Sequence, residues 1–339
     1  MPNLDGFGSV EDIVVSTRVR IARNIDSYKF PQSMNIKEAN RLNQEILGIM
    51  KGAGEAYNYF KIRDLDEMEK TSYVEDHLIS PALCRATLRG SFLLREDKQV
   101  TIMLNEEDHL RIQVILAGFE MKEAWKIASS VDDFIEDKVD YAFSEKYGYL
   151  TSCPTNVGTG LRISVMLHLP AITLSKHLDE MVDILRKVGL TLRGIYGEGS
   201  KGLGCLYQIS NQTTLGQSEE EIIIKLNKVV GQVIDRELGT RKFLMDYRSL
   251  DLEDKLIRSY GLIRNNRKIS SQEAMTYLSD IKLGVDLGLI KDLRGQDIDR
   301  LMVDIQPGKL QCKYSKKMSR RDRDILRSKY IREFFEKEE

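Results

Sequence analysis

Two apolar runs, Val100–Leu104 and Ile112–Ala117, are separated by only seven residues, Asn-Glu-Glu-Asp-His-Leu-Arg at 105–111. A parallel pair needs a crossover of about a dozen residues or more, so runs this close must pair antiparallel. Elsewhere along the chain strands are marked by alternation. Between Asp12 and Ile21, Val15, Thr17, Val19 and Ile21 fall on one face and Ser16, Arg18 and Arg20 on the other, the pattern of a half-buried strand. Thr159–Leu169 sets Leu161, Ile163, Val165 and Leu167 opposite Arg162, Ser164, Met166 and His168. Leu192–Tyr196 and Leu206–Ser210 read as further short strands beside a Gly-rich link at 197–204.

Helical periods stand between these strands. Asn35 and Glu38 form a capping box ahead of Ile36, Ala39, Leu42, Ile46 and Ile49, and Ser218 and Glu221 form a second ahead of Ile222, Leu226, Val229, Val230, Val233 and Ile234. From about residue 247 the strand signals fade, and 272–282 and 319–335 read as helices. The expected class is α+β: an antiparallel β-sheet flanked by helices over 12–245, then a C-terminal α-helical domain over 250–339.

Composition excludes several function classes. Among 339 residues, 42% are hydrophobic and 30% charged, with 51 Lys and Arg against 52 Asp and Glu. A net charge of −1 gives no global attraction to nucleic acid or an anionic membrane. The most apolar stretch, Val165–Leu174, is interrupted by His168 and Pro170, too short to span a bilayer. The opening residues carry neither a basic nor an apolar targeting segment, and Cys84, Cys153, Cys205 and Cys312 make no C-x-x-C pair. A reducing cytoplasm is the expected location. His77, His109, His168 and His177 lack metal-ligand spacing, and no P-loop or dinucleotide fingerprint occurs.

Three sets of residues carry chemistry. Arg18, Arg20, Arg111, Arg162 and Arg193 lie beside turns or Gly-rich links; planar guanidinium forks in such places suit a triphosphate, although isolated surface ion pairs would give the same residues. Glu106, Glu107, Asp108 and Glu198 offer carboxylates for proton transfer or for a divalent ion, against the plainer reading of a solvated hairpin tip. Cys153 precedes a Pro and a Gly-rich turn, a setting for a reactive thiol or for a small residue at a strand end. The segment 313–332 holds nine Lys and Arg against two Asp, a local excess of +7, which reads as a solvated helix face or a surface for an acidic partner.

In order and spacing, Ser16–Arg23 (STRVRIAR), Asn105–Arg111 (NEEDHLR), Cys153–Arg162 (CPTNVGTGLR) and Arg193–Gly199 (RGIYGEG) resemble the phosphagen (guanidino) kinases. The intervening text resembles the bacterial protein-arginine branch of that family nearly to the end of the chain.

The resemblance implies the site. ATP phosphates would lie among Arg18, Arg20, Arg111, Arg162 and Arg193, with His77 beside the nucleotide. Nucleotide contacts would come from Ser16, Thr17, Arg18, Val19 and Arg20, from Arg162, Ile163, Ser164, Val165 and Met166, and from Arg193, Gly194, Ile195, Tyr196, Gly197 and Glu198. Glu107 would be the catalytic carboxylate, Glu198 a second carboxylate on the guanidinium, and Cys153 the thiol at its third side. ATP and Mg²⁺ are the implied cofactors, with no protein cage for a metal.

It also implies partners. Proteins with exposed arginines would be the substrates, because the Ser-Thr-Arg-Val-Arg motif begins at Ser16 without the preceding domain that closes over a free guanidino acid in small-molecule relatives. A homodimer, an activator protein and a Clp chaperone-protease in stress response complete the expectation, with no membrane and no nucleic acid. A kinase for a free guanidino metabolite such as arginine, and a weakly catalytic partner-binding adaptor, are the alternatives. The C-terminal region resembles a domain that binds phosphoarginine through an R-D-x-x-R-A motif; here Arg321 and Asp322 are followed by Ile325 and Leu326, a departure from it.

Overall fold

The computed structural model describes residues 6–195, 202–291 and 293–337. Eight strands form one sheet: β1 (Val14–Arg23), β2 (Tyr57–Lys61), β3 (Ser91–Arg95), β4 (Val100–Leu104), β5 (Leu110–Ala117), β8 (Leu161–His168), β9 (Leu190–Gly194) and β10 (Leu206–Asn211). Their order is β2-β3-β4-β5-β1-β8-β10-β9, while β6 (Phe143–Ser144) and β7 (Gly148–Tyr149) make a separate hairpin. The class is the α+β arrangement expected from the alternation. By compactness the chain divides into two units, one of Met1–Val15, Val165–Ile209 and Lys228–Glu339, the other of Ser16–Ser164 and Ser210–Asn227.

In the unit built on Ser16–Ser164, β4 and β5 pair antiparallel with Leu104 opposite Leu110, as the short link requires. Strand β1 then pairs antiparallel with β5, Arg20 opposite Gln113 and Ala22 opposite Arg111. Val19, Ile21, Ile112 and Val114 point into a fully buried layer, each contributing about 1.5–3 kcal/mol through removal from water. The helices Ile36–Met50 and Met121–Glu136 bury apolar stripes that include Ala39, Leu42 and Ile46, and Ala124, Ala128 and Ile135. The Asn35 box is reciprocal: Glu38 N–H donates to Asn35 Oδ1 and Asn35 N–H to Glu38 Oε2, each at 3.0 Å. Strands β2 and β3, whose runs give no sustained alternation, extend the sheet and pack Phe60 and Phe92 face to face at 5.0 Å.

The other unit is mostly helical. The helix Glu219–Asn265 starts at the Ser218 box, with Ser218 N–H donating to Glu221 Oε2 at 2.8 Å. Its helical geometry is interrupted by a kink at Arg248 (φ −142°), which lies within 245–250, the stretch where a domain boundary is expected. Beyond it come the helices Ser271–Asp286, Gly295–Asp304, Pro307–Lys313 and Arg320–Lys337. Ile263, Met275, Leu278, Ile281, Ile298, Leu301, Ile331 and Phe335 close their core.

That unit also buries charge, and pairs it. Arg241 donates to Glu237 and Asp286, both at 3.1 Å, and Glu237 in turn accepts the Ala171 and Ile172 N–H groups at 2.9 and 3.0 Å. The pairing offsets the desolvation penalty that an isolated internal ion would carry.

Candidate active site

Alternation on β1 sends Arg18 and Arg20 to the face opposite the buried valine and isoleucine layer. Because cross-strand partners share a face, Arg111 stands beside Ala22 and next to Arg20. Arg162 and Ser164 on β8 belong to the same constellation: Arg18 Nε donates to Ser164 Oγ at 3.4 Å, and Arg162 Nη2 to Ser210 Oγ at 3.2 Å. Withdrawal from water, and then the charges of Arg18, Arg111 and Arg162, pull the Arg20 guanidinium well below its ordinary pKa, with Glu106 acting in the opposite sense. The Arg20 Nε is buried with no hydrogen-bond partner. Crowded cations with an unsatisfied donor make a seat for a polyanion. These arginines are not independent surface pairs.

The β4–β5 connection is not a solvated tip either. Asn105, Glu106, Asp108 and His109 are buried. Asn105 takes a left-handed backbone (φ +55°), and its Nδ2 donates to Asn43 Oδ1 at 2.8 Å. Glu106 accepts from Arg111 Nη1 at 2.9 Å and from Ser80 Oγ at 2.5 Å. Glu107 is the exception: its side chain is 41% exposed and its Oε2 lies 3.2 Å from Arg111 Nη2. One carboxylate thus fixes the arginine, and the other reaches into open space beside it.

Cys153 sits on the loop that leads into β8, half-buried, with its Sγ 3.0 Å from Thr155 Oγ1. The loop is held close by glycines. Gly160 adopts φ +65°, and a Cβ there would lie 2.5 Å from Ala22 O and 2.6 Å from Arg23 Nη1. Glu107, Cys153, Thr155, Asn156, Arg20, Arg111 and Arg162 line one cleft of about 130 Å³. A carboxylate, a thiol and three arginines therefore converge.

The remaining predicted residues are placed as follows. Ser16 and Ser164 lie on the strands of this unit. Val19 and Ile163 turn their side chains into the core, and Thr17 is fully buried, its Oγ1 donating to Gly118 O at 2.7 Å. His77 adopts a left-handed backbone (φ +59°), and burial, with the Arg18 charge beside it, lowers its pKa to about 4. Val165, Met166, Arg193, Gly194 and Ile195 belong to the other unit, where Arg193 is exposed and Met166 packs against the apolar core. Tyr196, Gly197 and Glu198 lie outside the described residues. Asn24 and Thr155 add contacts that the residue pattern does not single out; the signal for Thr155 is a hydroxyl two positions after the thiol.

Comparison with known proteins decides the family. Residues 38–240 match the catalytic domain of ATP:guanido phosphotransferases, and residues 249–339 the C-terminal domain of the protein-arginine kinase McsB. The chain belongs to the ATP:guanido phosphotransferase family. It is 47% identical over 331 residues to a protein-arginine kinase of Bacillus licheniformis, covering 96% of this chain and 91% of that one. A protein-arginine kinase of Bacillus subtilis is 46% identical over 335 residues, with the same two coverages of 96% and 91%. Among solved structures, a duplicated taurocyamine kinase from Schistosoma mansoni superposes with a TM-score of 0.62 at 32% identity, covering 69% of this chain and 34% of that one. A lombricine kinase gives a TM-score of 0.58 at 27% identity, covering 70% of each. As an ATP:guanido phosphotransferase, the protein is an enzyme whose arginine-lined cleft suits a nucleotide polyphosphate.

The C-terminal region of this family member holds a second cleft, of about 600 Å³, lined by Ser270, Ser271, Gln272, Arg320, Arg323, Asp324 and Arg327 among others. Arg327 is buried and donates to Ile305 O at 2.9 Å, Ile269 O at 3.0 Å and Asp324 Oδ1 at 2.7 Å. The R-D-x-x-R spacing is met here, at Arg323, Asp324 and Arg327, with Ser328 in the last position. This corrects the departure expected at Arg321 and Asp322. Nor is 313–332 a purely solvated face, since Asp324, Arg327, Ser328 and Ile331 are buried.

Proposed function

We propose that this chain transfers the γ-phosphoryl group of ATP to arginine side chains of proteins. The observation that carries the reading is the convergence of Glu107 and Cys153 with Arg20, Arg111 and Arg162 on one cleft. A guanidinium is a poor nucleophile because its lone pairs are delocalised and its pKa exceeds about 12. Bound by a carboxylate it is aligned in line with the phosphorus and gives up its proton as the new bond forms. Glu107, held at one edge by Arg111 and open at the other, suits that task. Cys153 would flank the guanidinium, and Glu198 would supply the second carboxylate. The arginines would spread the charge of the transferring phosphoryl group, where such catalysis is mostly gained.

Among the described residues no group of three or more His, Cys, Asp or Glu is placed to hold a metal ion. A Mg²⁺ ion would come with the nucleotide, held chiefly by phosphate oxygens and water, and would neutralise developing charge. The nucleotide contacts assigned to Arg193, Gly194 and Ile195, and to Val165 and Met166, belong to the same proposal. Proteins rather than free arginine are favoured as substrates by the relatives' names and by the McsB-type C-terminal domain. The Arg323, Asp324 and Arg327 cleft, beside the N-terminus of helix Ser271–Asp286, would bind phosphoarginine. A cytoplasmic homodimer that works with an activator protein and marks proteins for a Clp-type protease under stress completes the reading; among the described residues no helix is long and apolar enough to cross a membrane.

Intact-mass analysis of a partly unfolded protein and, separately, of free L-arginine after incubation with Mg·ATP tests this. Acid-labile phosphate mapped to arginine in the protein, and absent with Glu107→Gln, is the expected result. Phosphorylation of free arginine alone would make the chain a metabolic guanidino kinase.

A further inference from the structure

Asp108 follows the catalytic carboxylate, and Ser152 precedes the thiol. Although Glu107 and Cys153 come from segments far apart in sequence, Asp108 Oδ1 accepts the Ser152 backbone N–H at 2.7 Å. The same oxygen accepts Asn24 Nδ2 at 2.7 Å, and Asn24 Nδ2 also donates to Leu150 O at 3.1 Å. Asn24 Oδ1 accepts the His109 N–H at 2.9 Å, so the end of β1 is tied to the link carrying Glu107 and to the loop carrying Cys153. His109 locks the assembly from behind: its Nδ1 accepts the Ile25 N–H at 3.0 Å, leaving Nε2 protonated to donate to Lys29 O at 2.8 Å. Asp108 is 2% exposed and Asn24 1%, so no water competes for these bonds.

We propose that Asp108 is a positioning residue that sets the distance between Glu107 and Cys153, and so the width of the guanidinium clamp. The proposal rests on the protein-arginine kinase reading for its substrate. One hydrogen bond between immediate neighbours transmits any change in Asp108 to both clamp members, and a displacement of about 1 Å costs on the order of a hundredfold in rate. What Asp108 supplies is an acceptor at a fixed length. Its charge is not what the geometry uses, since both donors meet a single oxygen.

Three variants of the full-length chain test this: Asp108→Asn, which keeps that acceptor oxygen; Asp108→Ala, which removes it; and Asp108→Glu, which keeps the charge but lengthens the side chain. Expected are Asn with kcat within about threefold of wild type, and Ala and Glu reduced about a hundredfold with the KM for ATP within about twofold. Residue-resolved alkylation of Cys153 by iodoacetamide should shift about threefold or more in Ala and Glu and stay unchanged in Asn. Should Ala not fold, Glu carries the comparison. A fully active Glu or Ala variant, or an Asn variant as weak as Ala, overturns the proposal. If wild type transfers nothing to protein, the kinase reading fails, and the alkylation comparison still decides the positioning role.

Discussion

Arg111 Nη2 lies 3.2 Å from Glu107 Oε2 while Arg111 Nη1 lies 2.9 Å from Glu106 Oε1. The buried Glu106 fixes the guanidinium, and the fixed guanidinium steadies one edge of the exposed carboxylate. Replacing Glu107 by Gln keeps the shape and removes the carboxylate proposed as the base. The expected outcome is a kcat lower by about 10³-fold, within the range that general-base catalysis supplies, with nucleotide affinity little changed by isothermal titration. Full turnover in the variant would remove Glu107 from the mechanism.

Gly160 turns the Cys153 loop back against β1 at φ +65°, with backbone 2.5 Å from where a Cβ would stand. Gly160→Ala must move the loop or strain it. A loss of about 1–3 kcal/mol in denaturant unfolding is expected from the backbone conformation, together with lower kcat, because Arg162 and Cys153 flank the same turn.

Arg23 is 3% exposed, donates to Asp132 at 2.6 Å, to Ala22 O at 3.0 Å and to Thr159 O at 2.8 Å, and lies 3.5 Å over the Tyr149 ring. Removing it strands the buried Asp132 carboxylate, whose pKa burial already raises to about 6. Arg23→Ala should cost about 3–5 kcal/mol, and Arg23→Lys should recover only part, since a single ammonium nitrogen reproduces neither the spread of Nη1 and Nη2 over three acceptors nor the planar stacking on Tyr149. A variant as stable as wild type would mean that the pair is not formed in solution.

Three histidines held below their ordinary pKa by burial, His77, His109 and His168, make stability depend on pH. Burial lowers the His77 pKa to about 4, with the Arg18 charge in the same direction, and burial, with Lys282 and Arg241, lowers His168 well below its ordinary 6.5. The unfolded chain binds these protons more readily than the folded one, so the histidine contribution to stability is complete above pH 6.5 and falls as the pH drops from there toward about 4. Urea midpoints at pH 8 and pH 5 should differ, and the difference should shrink in His77→Gln and again in a double variant with His168→Gln. An unchanged difference would show that the histidines are not held neutral.

Much of this was legible along the chain. Alternation located β1 and β8, apolar runs located β4 and β5, reciprocal Asn35–Glu38 and Ser218–Glu221 pairs marked two helix starts, and the seven-residue link at 105–111 required an antiparallel pair. Strands β2 and β3 were not legible, because Tyr-Asn-Tyr-Phe-Lys and Ser-Phe-Leu-Leu-Arg have no sustained period of two; pairing of β3 with Met103 and Leu104 on one side and with β2 on the other makes them strands. The motif residues were visible as types at positions, but not the burial that separates Glu106 from its neighbour Glu107.

The sequence by itself determined the local periodicities, the capping boxes and the set of motifs, since these depend on residues within a turn or two of one another. Only the tertiary structure decided which arginines crowd together, because Arg20, Arg111 and Arg162 meet through strand pairing across the sheet. It likewise decided that Asp108 meets Ser152, a contact between residues 44 positions apart. Burial and long-range hydrogen bonding depend on packed three-dimensional neighbours, and no reading of spacing along the chain contains them.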